Sequence, residues 1–366
     1  MTQKLFTLGP VEMYEYTRER PLGQLPYFRT EDFSRINLEC ARMLKRLAGA
    51  PDDAHAYIFT CSGTGAMEAV VGGCFEGAGR DRLLVVDGGG FGRRFAGLAA
   101  HHGIARDSVR LAFDETLDYG AVDELLRGAP NAEAFTGMLV NIHETTTGQL
   151  YDKDMFAWFC REYGLYLVYD AIGSFLADPL DFEKDGIDAF IISSQKALAL
   201  PPGLAAVILS DRLYKKVIEQ DIRPFSLYFD FRDAESNAVR GQTPFTPAIG
   251  AILALHERLA RIEEEGGAEA SVARTRALAE DFRARIRGFV EKGLIALPSY
   301  RLSNACTPLI FPDGGAKEAF NKLAQKGLWL NPNGGELADS ALRVGHLGNL
   351  TPDDNQMLAE ALSELL

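Results

Sequence analysis

No uninterrupted apolar run in the sequence approaches the ~18 residues that a bilayer-crossing helix needs, and none is expected to cross a membrane. Cysteine is scarce and unpaired: Cys40, Cys61, Cys74, Cys160 and Cys306 are scattered, and no CxxC occurs. That spacing excludes a disulfide framework and, with no Cys and His pairs at ligand spacing, a structural zinc site; no metal is expected, and reduced thiols suit the cytoplasm. Positive charge is in deficit, with 38 Lys and Arg against 51 Asp and Glu and a net charge of −13. A surface of that sign does not fit nucleic acid or an anionic membrane as the main partner. The opening "MTQKLFTLGPVEMYEY" lacks the charged-then-apolar layout of a secretory signal, which again points to the cytoplasm. Internal repeats and low-complexity linkers are also missing.

What is present is a long alternation of apolar strands and helices. At 366 residues the chain is long enough for two domains. "AYIFTC", "RLLVVDGG", "SVRLAF", "FTGMLVNIH", "LYLVYDA", "IDAFIIS" and "LAAVILS" read as seven strands, most of them apolar throughout and so suited to burial on both faces. Helical stretches fall between them, at "GTGAMEAVVGGCF", from about Phe91, around Ala121–Leu126 and at "DKDMFAWFCREYG". Alternation of this kind predicts an α/β fold with a doubly wound, mostly parallel sheet. The amphipathic "PAIGAILALHERLARIEEEGG" stops at Gly266–Gly267, a second long helix follows, and the remainder reads as small α+β. The expected division is an N-terminal arm (1–20), a large α/β domain (21–265) and a small C-terminal α+β domain (266–366).

Ligands of open parallel sheets sit beyond the carboxyl ends of the strands, and several unusual segments fall there. "TCSGTGAMEAV" (Thr60–Val70) turns from strand to helix at Ser62, Gly63 and Thr64, aiming backbone N–H groups at an anion. It is not a Walker loop, because no Gly-Lys-Ser/Thr follows, and it lacks the third glycine of a dinucleotide fingerprint. "DGGGFGRRF" (Asp87–Phe95) sets Phe91 among glycines, where its ring could face a planar ligand. "NIHETTTGQ" (Asn141–Gln149) brings hydroxyls together with His143 and Glu144. In "LYLVYDAIGSF", Asp170 ends a very apolar strand, where a carboxylate is costly unless a cation faces it. Gln195–Lys196 ends the sixth strand, and a desolvated lysine there is a nucleophile or Schiff-base former. Arg343 in "RVGHLG" can clamp a carboxylate. Each feature has an ordinary structural explanation when taken singly. Phosphate turn, aromatic plate, hydroxyl loop, strand-end Asp, strand-end Lys and late Arg together supply the contacts that pyridoxal phosphate needs.

On these motifs the chain resembles the class V, fold-type I pyridoxal-phosphate aminotransferases, in particular the alanine–glyoxylate/serine–pyruvate and 2-aminoethylphosphonate–pyruvate groups. "SSQKALALPPG" matches their lysine segment closely, "HETTTG" resembles their "ESSTG", and "RVGHLG" their carboxylate-binding arginine motif. The resemblance runs from "LGPV" at Leu8 into the C-terminal region. It implies that Lys196 carries the cofactor as a Schiff base and shuttles the substrate α-proton. Asp170 would pair with the ring nitrogen and Phe91 would stack on the ring. Ser62, Gly63, Thr64 and Gln195 would hold the phosphate, and Thr145 or Thr146 the ring hydroxyl. Arg343 would take the substrate carboxylate, with backbone near Gly9 completing that pocket. "RGQTPFTP" (Arg240–Pro247) matches a loop the family donates across a dimer interface, so Thr243 and Thr246 would serve the partner of a homodimer. Two departures stand out: Phe91 where the family often has Trp, and "LGP" where it usually has "PGP".

The activity implied is a ping-pong transamination between a small amino acid, such as alanine or serine, and a 2-oxo acid, pyruvate or glyoxylate. A 2-aminoethylphosphonate donor, or a lyase or decarboxylase on the same fold, stays open. Cysteine desulfurase chemistry fits less well, since Phe91 fills the stacking position and Cys306 lies in a strand-like "NACTPLIF". A nicotinamide oxidoreductase would leave Lys196 unexplained.

Overall fold

The computed structural model describes residues 3–19, 23–129 and 134–366. A central sheet is built from β1 (His55–Phe59), β2 (Arg82–Asp87), β3 (Ala105–Arg110), β4 (Gly137–Asn141), β5 (Tyr166–Asp170), β6 (Ala189–Ser193) and β7 (Ala205–Leu209). Its seven strands lie in the order β1-β7-β6-β5-β4-β2-β3. The run from β6 to β3 is parallel, and only β7 opposes its two neighbours. All seven expected strands are present in this mostly parallel, doubly wound sheet.

Alternating side chains of the strands divide the apolar residues between two cores. Leu84, Val86, Met138, Val140, Leu167 and Tyr169 face one of them. That core is covered by α1 (Glu31–Ala48), and further along the chain by the helices Tyr119–Gly128, Lys153–Tyr163 and Ile249–Glu264. Leu83, Val85, Leu139 and Val168 face the other, covered by α2 (Gly63–Cys74) and α3 (Gly90–His101). The remaining covering helices are α4 (Tyr119–Gly128), α5 (Lys153–Tyr163), α6 (Asp211–Glu219) and α7 (Ile249–Glu264). Because β4, β6 and β7 are buried along their whole length, their sequences are apolar without alternation.

The third strand sits earlier than its apolar pattern predicts, at 105–110 rather than 108–113. It is an edge strand, paired in register with β2 from Arg82↔Ala105 to Asp87↔Arg110. An edge strand tolerates the polar "ARDS" that a pattern search reads as loop. The backbone then leaves the ladder at Leu111, whose N–H still donates to the Asp87 carbonyl (3.1 Å).

From β3 the chain crosses back over β2 to form β4, so successive connections diverge between β2 and β4. Such a switch point opens a crevice at the carboxyl ends of the strands. Asn141, Asp170 and the Ser193–Lys196 turn all lie at that rim.

α7 ends at Glu264, Gly266 adopts a left-handed φ of 103°, and α8 (Gly267–Arg285) begins. A second core follows around β8 (Cys306–Ile310), β9 (Asn331–Pro332) and β10 (Ala341–Gly345), in the order β8-β10-β9. α9 (Ala316–Gln325) and α10 (Pro352–Ser363) belong to it. The N-terminal segment joins this core: Lys4–Leu5 pairs in parallel with Leu328–Trp329, and Phe6 is fully buried. Residues 7–9 then run on to the sheet rim.

Candidate active site

Lys196 follows β6 on a turn fixed by Ser194, whose hydroxyl donates to the Pro201 carbonyl (2.7 Å) and accepts from Leu204 N–H (3.3 Å). Its Nζ donates to the Leu8 carbonyl oxygen at 2.5 Å. The side chain runs along bare backbone at Gly9, where a Cβ would lie 2.7 Å from Lys196 Cδ and 2.9 Å from Cε. Gly9 also has φ +133°, a conformation L side chains rarely adopt. Burial lowers the amine's pKa to about 8; the Asp170 charge opposes that shift, and those of Arg343 and Arg94 add to it.

Asp170 is 1% exposed at the end of β5. Its register partner on β4 is Asn141, whose Nδ2 donates to Asp170 Oδ2 at 2.6 Å. Ile172 N–H donates to Oδ1 at 3.0 Å. Burial raises the carboxyl to about 6, against the pull of these two bonds and of Lys196. Among the described residues Asp170 forms no ion pair within contact distance, so a buried carboxyl group lacks a contacting cation. Asn141 Oδ1 is likewise buried and without a partner.

Phe91 lies in the first turn of α3, and that helix start is tied down from the hydroxyl loop. The Glu144 carboxyl group, fully buried, accepts from Gly92 N–H (3.0 Å), Phe91 N–H (3.5 Å) and Thr146 N–H (3.0 Å). Thr146 Oγ1 accepts from Gly90 N–H at 3.0 Å. Close approach requires glycine at position 89, since a Cβ there would lie 2.6 Å from Glu144 Cδ. Glu144 thus satisfies N–H groups that a helix start leaves open. Glu144→Gln turns an acceptor into a donor facing another donor. We expect it to cost about 1–3 kcal/mol of stability, read by denaturant unfolding of the apo-protein.

These bonds separate the two threonines. Thr146 Oγ1 is engaged by Gly90, whereas Thr145 Oγ1 has no hydrogen-bond partner among the described residues. The Thr145 carbonyl instead accepts from Arg343 Nη1 (3.0 Å), while Arg343 Nη2 donates to Pro332 O (2.8 Å). Arg343 Nε is buried without a partner. Beside them His143, 1% exposed, sets Nδ1 3.3 Å from the Gly173 carbonyl and leaves Nε2 unpartnered. Burial holds this imidazole down to about 3, and Lys196 and Arg343 push the same way, so the ring is neutral.

The turn into α2 is capped by Ser62 Oγ, which accepts from Gly65 N–H at 3.2 Å. The N–H groups of Gly63 and Thr64 have no acceptor among the described residues. Gly63 is close-packed, since a Cβ would sit 2.4 Å from Ile172 Cδ1 and 3.3 Å from Ser193 Cβ. Gln195 Oε1 accepts from Ser193 Oγ (2.5 Å), leaving its amide nitrogen free to donate. Thr64 Oγ1 accepts from Arg94 Nη1 (3.0 Å), and the Arg94 guanidinium lies 4.7 Å above the Phe91 ring.

Thr243 and Thr246 stand apart. Arg29 holds their loop through the carbonyls of Thr243 (2.8 Å) and Pro244 (3.1 Å). Thr246 is exposed, and the Thr243 hydroxyl donates only to Phe245 O (2.8 Å). Neither bonds to the group around Lys196 within one chain. Asn141 and Arg94 contact these residues, at Asp170 and Thr64, and pattern reading passes over both. Asn141 matters through its register with a distant strand, which no local signal carries. Arg94 stands three residues after Phe91 on α3, a spacing visible only once the helix is recognised as facing the rim.

The family model "Aminotransferase class-V" matches residues 28–332. This chain belongs to the class-V aminotransferases. It is 30% identical over 366 residues to a 2-aminoethylphosphonate–pyruvate transaminase of Phocaeicola vulgatus, covering 98% of this chain and 97% of that one. Among solved structures it is similar to an aspartate aminotransferase of subgroup IV from Thermus thermophilus, with a TM-score of 0.86, 27% identity and coverage of 99% and 100%. An alanine–glyoxylate aminotransferase from Nostoc sp. shares the fold, with a TM-score of 0.91 at 22% identity and coverage of 100% and 95%. The architecture of this class-V aminotransferase is therefore fold-type I, and the family's cofactor is pyridoxal 5′-phosphate.

Proposed function

We propose that this class-V aminotransferase moves an amino group between a small amino acid, such as alanine or serine, and a 2-oxo acid, pyruvate or glyoxylate. The observation that carries the reading is the Lys196 amine, desolvated and held near 8, with the Asp170 carboxyl and the Arg343 guanidinium both acting on it. The site residues fit pyridoxal phosphate part by part. Free N–H groups at Gly63 and Thr64, the Ser62 hydroxyl and the Gln195 amide suit its phosphate. Asp170 lacks a contacting cation and suits a protonated ring nitrogen. Phe91 offers a ring face, and Thr145, the threonine with the free hydroxyl, suits the ring hydroxyl.

The bound cofactor supplies an aldehyde that takes up the amino group and a ring that accepts the electron pair left by the departing α-proton. Lys196 Nζ would hold the cofactor, and as a free amine it would take the substrate's α-proton. Asp170 keeps the ring nitrogen protonated. Arg343 would clamp the substrate carboxylate, with the backbone near Gly9, along which Lys196 runs, completing that pocket. In a homodimer, Thr243 and Thr246 on the exposed loop of each subunit would complete the phosphate site of the other. We take residues 1–20 as an arm, 21–265 as the cofactor-binding domain and 266–366 as the small domain, jointed at Gly266. The five unpaired cysteines support a reducing, cytoplasmic setting, and no helix among the described residues is long and apolar enough to cross a membrane.

A second donor, 2-aminoethylphosphonate, is favoured by the named activity of the 30% identical relative. A donor screen separates the two: alanine and serine with glyoxylate, against 2-aminoethylphosphonate with pyruvate, each followed by keto product formed per amine consumed. Loss of amine with no amino acid product would overturn both readings in favour of a lyase. Arg343→Ala is expected to raise KM for the 2-oxo acid about 10–100-fold, the worth of a charge-assisted hydrogen bond.

A further inference from the structure

The donors assigned to the phosphate in this reading, Ser62, Gly63, Thr64 and Gln195, are all electrically neutral. A phosphate monoester carries nearly two negative charges at neutral pH, and the protein around it is acid-rich, with a net charge of −13. The guanidinium in contact with this turn is that of Arg94. It projects from the second turn of α3 across to the first turn of α2, where Nη1 donates to Thr64 Oγ1 at 3.0 Å. Its Nε and Nη2 donate to nothing, and it forms no ion pair among the described residues. It also lies over one face of Phe91, 4.7 Å from the ring centroid, which leaves the other face for a ligand. The charge reaches the reaction centre, since Arg94 is among the groups that hold down the Lys196 amine.

We propose that Arg94 is a cofactor-binding residue of this enzyme, supplying the guanidinium charge for the phosphate of pyridoxal phosphate at a turn whose other donors are neutral. The inference rests on the assignment of that turn to the phosphate. Arginine suits the task because unused N–H donors in a planar fork can meet phosphate oxygens while Nη1 stays on Thr64. A competing role for Arg94 is mechanical: it could merely prop Phe91 and Thr64, with no contact to the anion.

Pyridoxal, which lacks the phosphate, distinguishes the two. Binding of pyridoxal phosphate and of pyridoxal to apo-protein can be titrated by absorbance and by quenching of intrinsic fluorescence, for wild type, Arg94→Gln, Arg94→Lys and Ser62→Ala. Arg94→Gln should bind pyridoxal phosphate roughly 10–100-fold more weakly and pyridoxal unchanged. Arg94→Lys, which keeps the charge without the fork, should fall between. Inorganic phosphate should raise the melting temperature of wild-type apo-protein more than that of Arg94→Gln. Equal weakening of both ligands in Arg94→Gln, or no change in either, overturns the proposal. Retention of the wild-type preference for the phosphorylated ligand in Ser62→Ala as well would instead overturn the assignment of the turn. A preference lost in Ser62→Ala but kept in Arg94→Gln condemns only the role given to Arg94.

Discussion

Lys196→Ala is expected to lower kcat at least about 10⁴-fold, because in the proposed reading one substitution removes two functions. The first is covalent tenure of the cofactor: borohydride, which in wild type bleaches the visible band and fixes the cofactor onto this residue, should fix nothing in the variant. The second is the base. General base catalysis by a positioned group is worth roughly 10²–10⁴-fold, and no other group among the described residues is placed to replace it. His143 is nearby, but burial holds its imidazole down to about 3, too weak a base to stand in for the amine. An exogenous small amine should restore part of the turnover to Lys196→Ala, which a merely unfolded variant would not allow. Survival of even a tenth of wild-type activity would refute the role. The pH dependence has a definite sign. Burial holds the amine near 8, so it is protonated and inactive as a base below that pH and free above it. The acid limb of kcat is expected to rise through about pH 8 and level off beyond it.

The parts of this molecule that could be read from sequence are those where one residue type faces one environment. Strands buried on both faces must be apolar throughout, and β4, β5, β6 and β7 were legible for that reason. β3 was placed three residues late because an edge strand is not obliged to be apolar. The charged groups at the rim were legible because Asp170 and Lys196 interrupt apolar runs, and desolvating a charge without a purpose is costly. Pairings between distant segments were not legible. That Asn141 Nδ2 would meet Asp170, or that Glu144 would satisfy the first turn of α3, follows from strand order and the β2–β4 crevice rather than from any spacing. The choice between Thr145 and Thr146 was open for the same reason. It turns on one backbone donor, Gly90 N–H, that reaches only Thr146. Within the segment read as an arm, Phe6 is fully buried in the small core, a pairing with distant residues that no spacing signals.

Asp170→Asn should be nearly as damaging as loss of the lysine, and its effect should vary with pH in a way that exposes the cause. The asparagine keeps the shape, can accept from Ile172 N–H, and can donate to Asn141 once that amide turns its unpartnered Oδ1 inward, but it cannot balance a positive ring nitrogen. Removing one partner of a buried ion pair costs about 3–5 kcal/mol, so kcat should fall by roughly a hundred- to several thousandfold. Without the cofactor, burial raises the Asp170 carboxyl to about 6. A carboxyl raised on folding stabilises the fold at pH values below its ordinary range near 4, and that contribution is lost as pH rises through about 6. The apo-protein therefore carries a destabilising buried charge at neutral pH, and a cationic ring nitrogen would relieve it. Cofactor affinity should accordingly climb as pH rises toward about 6, by up to about tenfold per unit, and flatten above, where Asp170 is already ionised. In Asp170→Asn that limb should vanish: weak binding at every pH, with the cofactor-induced rise in melting temperature no longer growing between about pH 4 and 7. A variant that binds weakly yet keeps the wild-type pH dependence would mean that another group, such as the buried Asp178 carboxyl, also raised to about 6, governs it. The pairing of Asp170 with the ring nitrogen would then have to be abandoned.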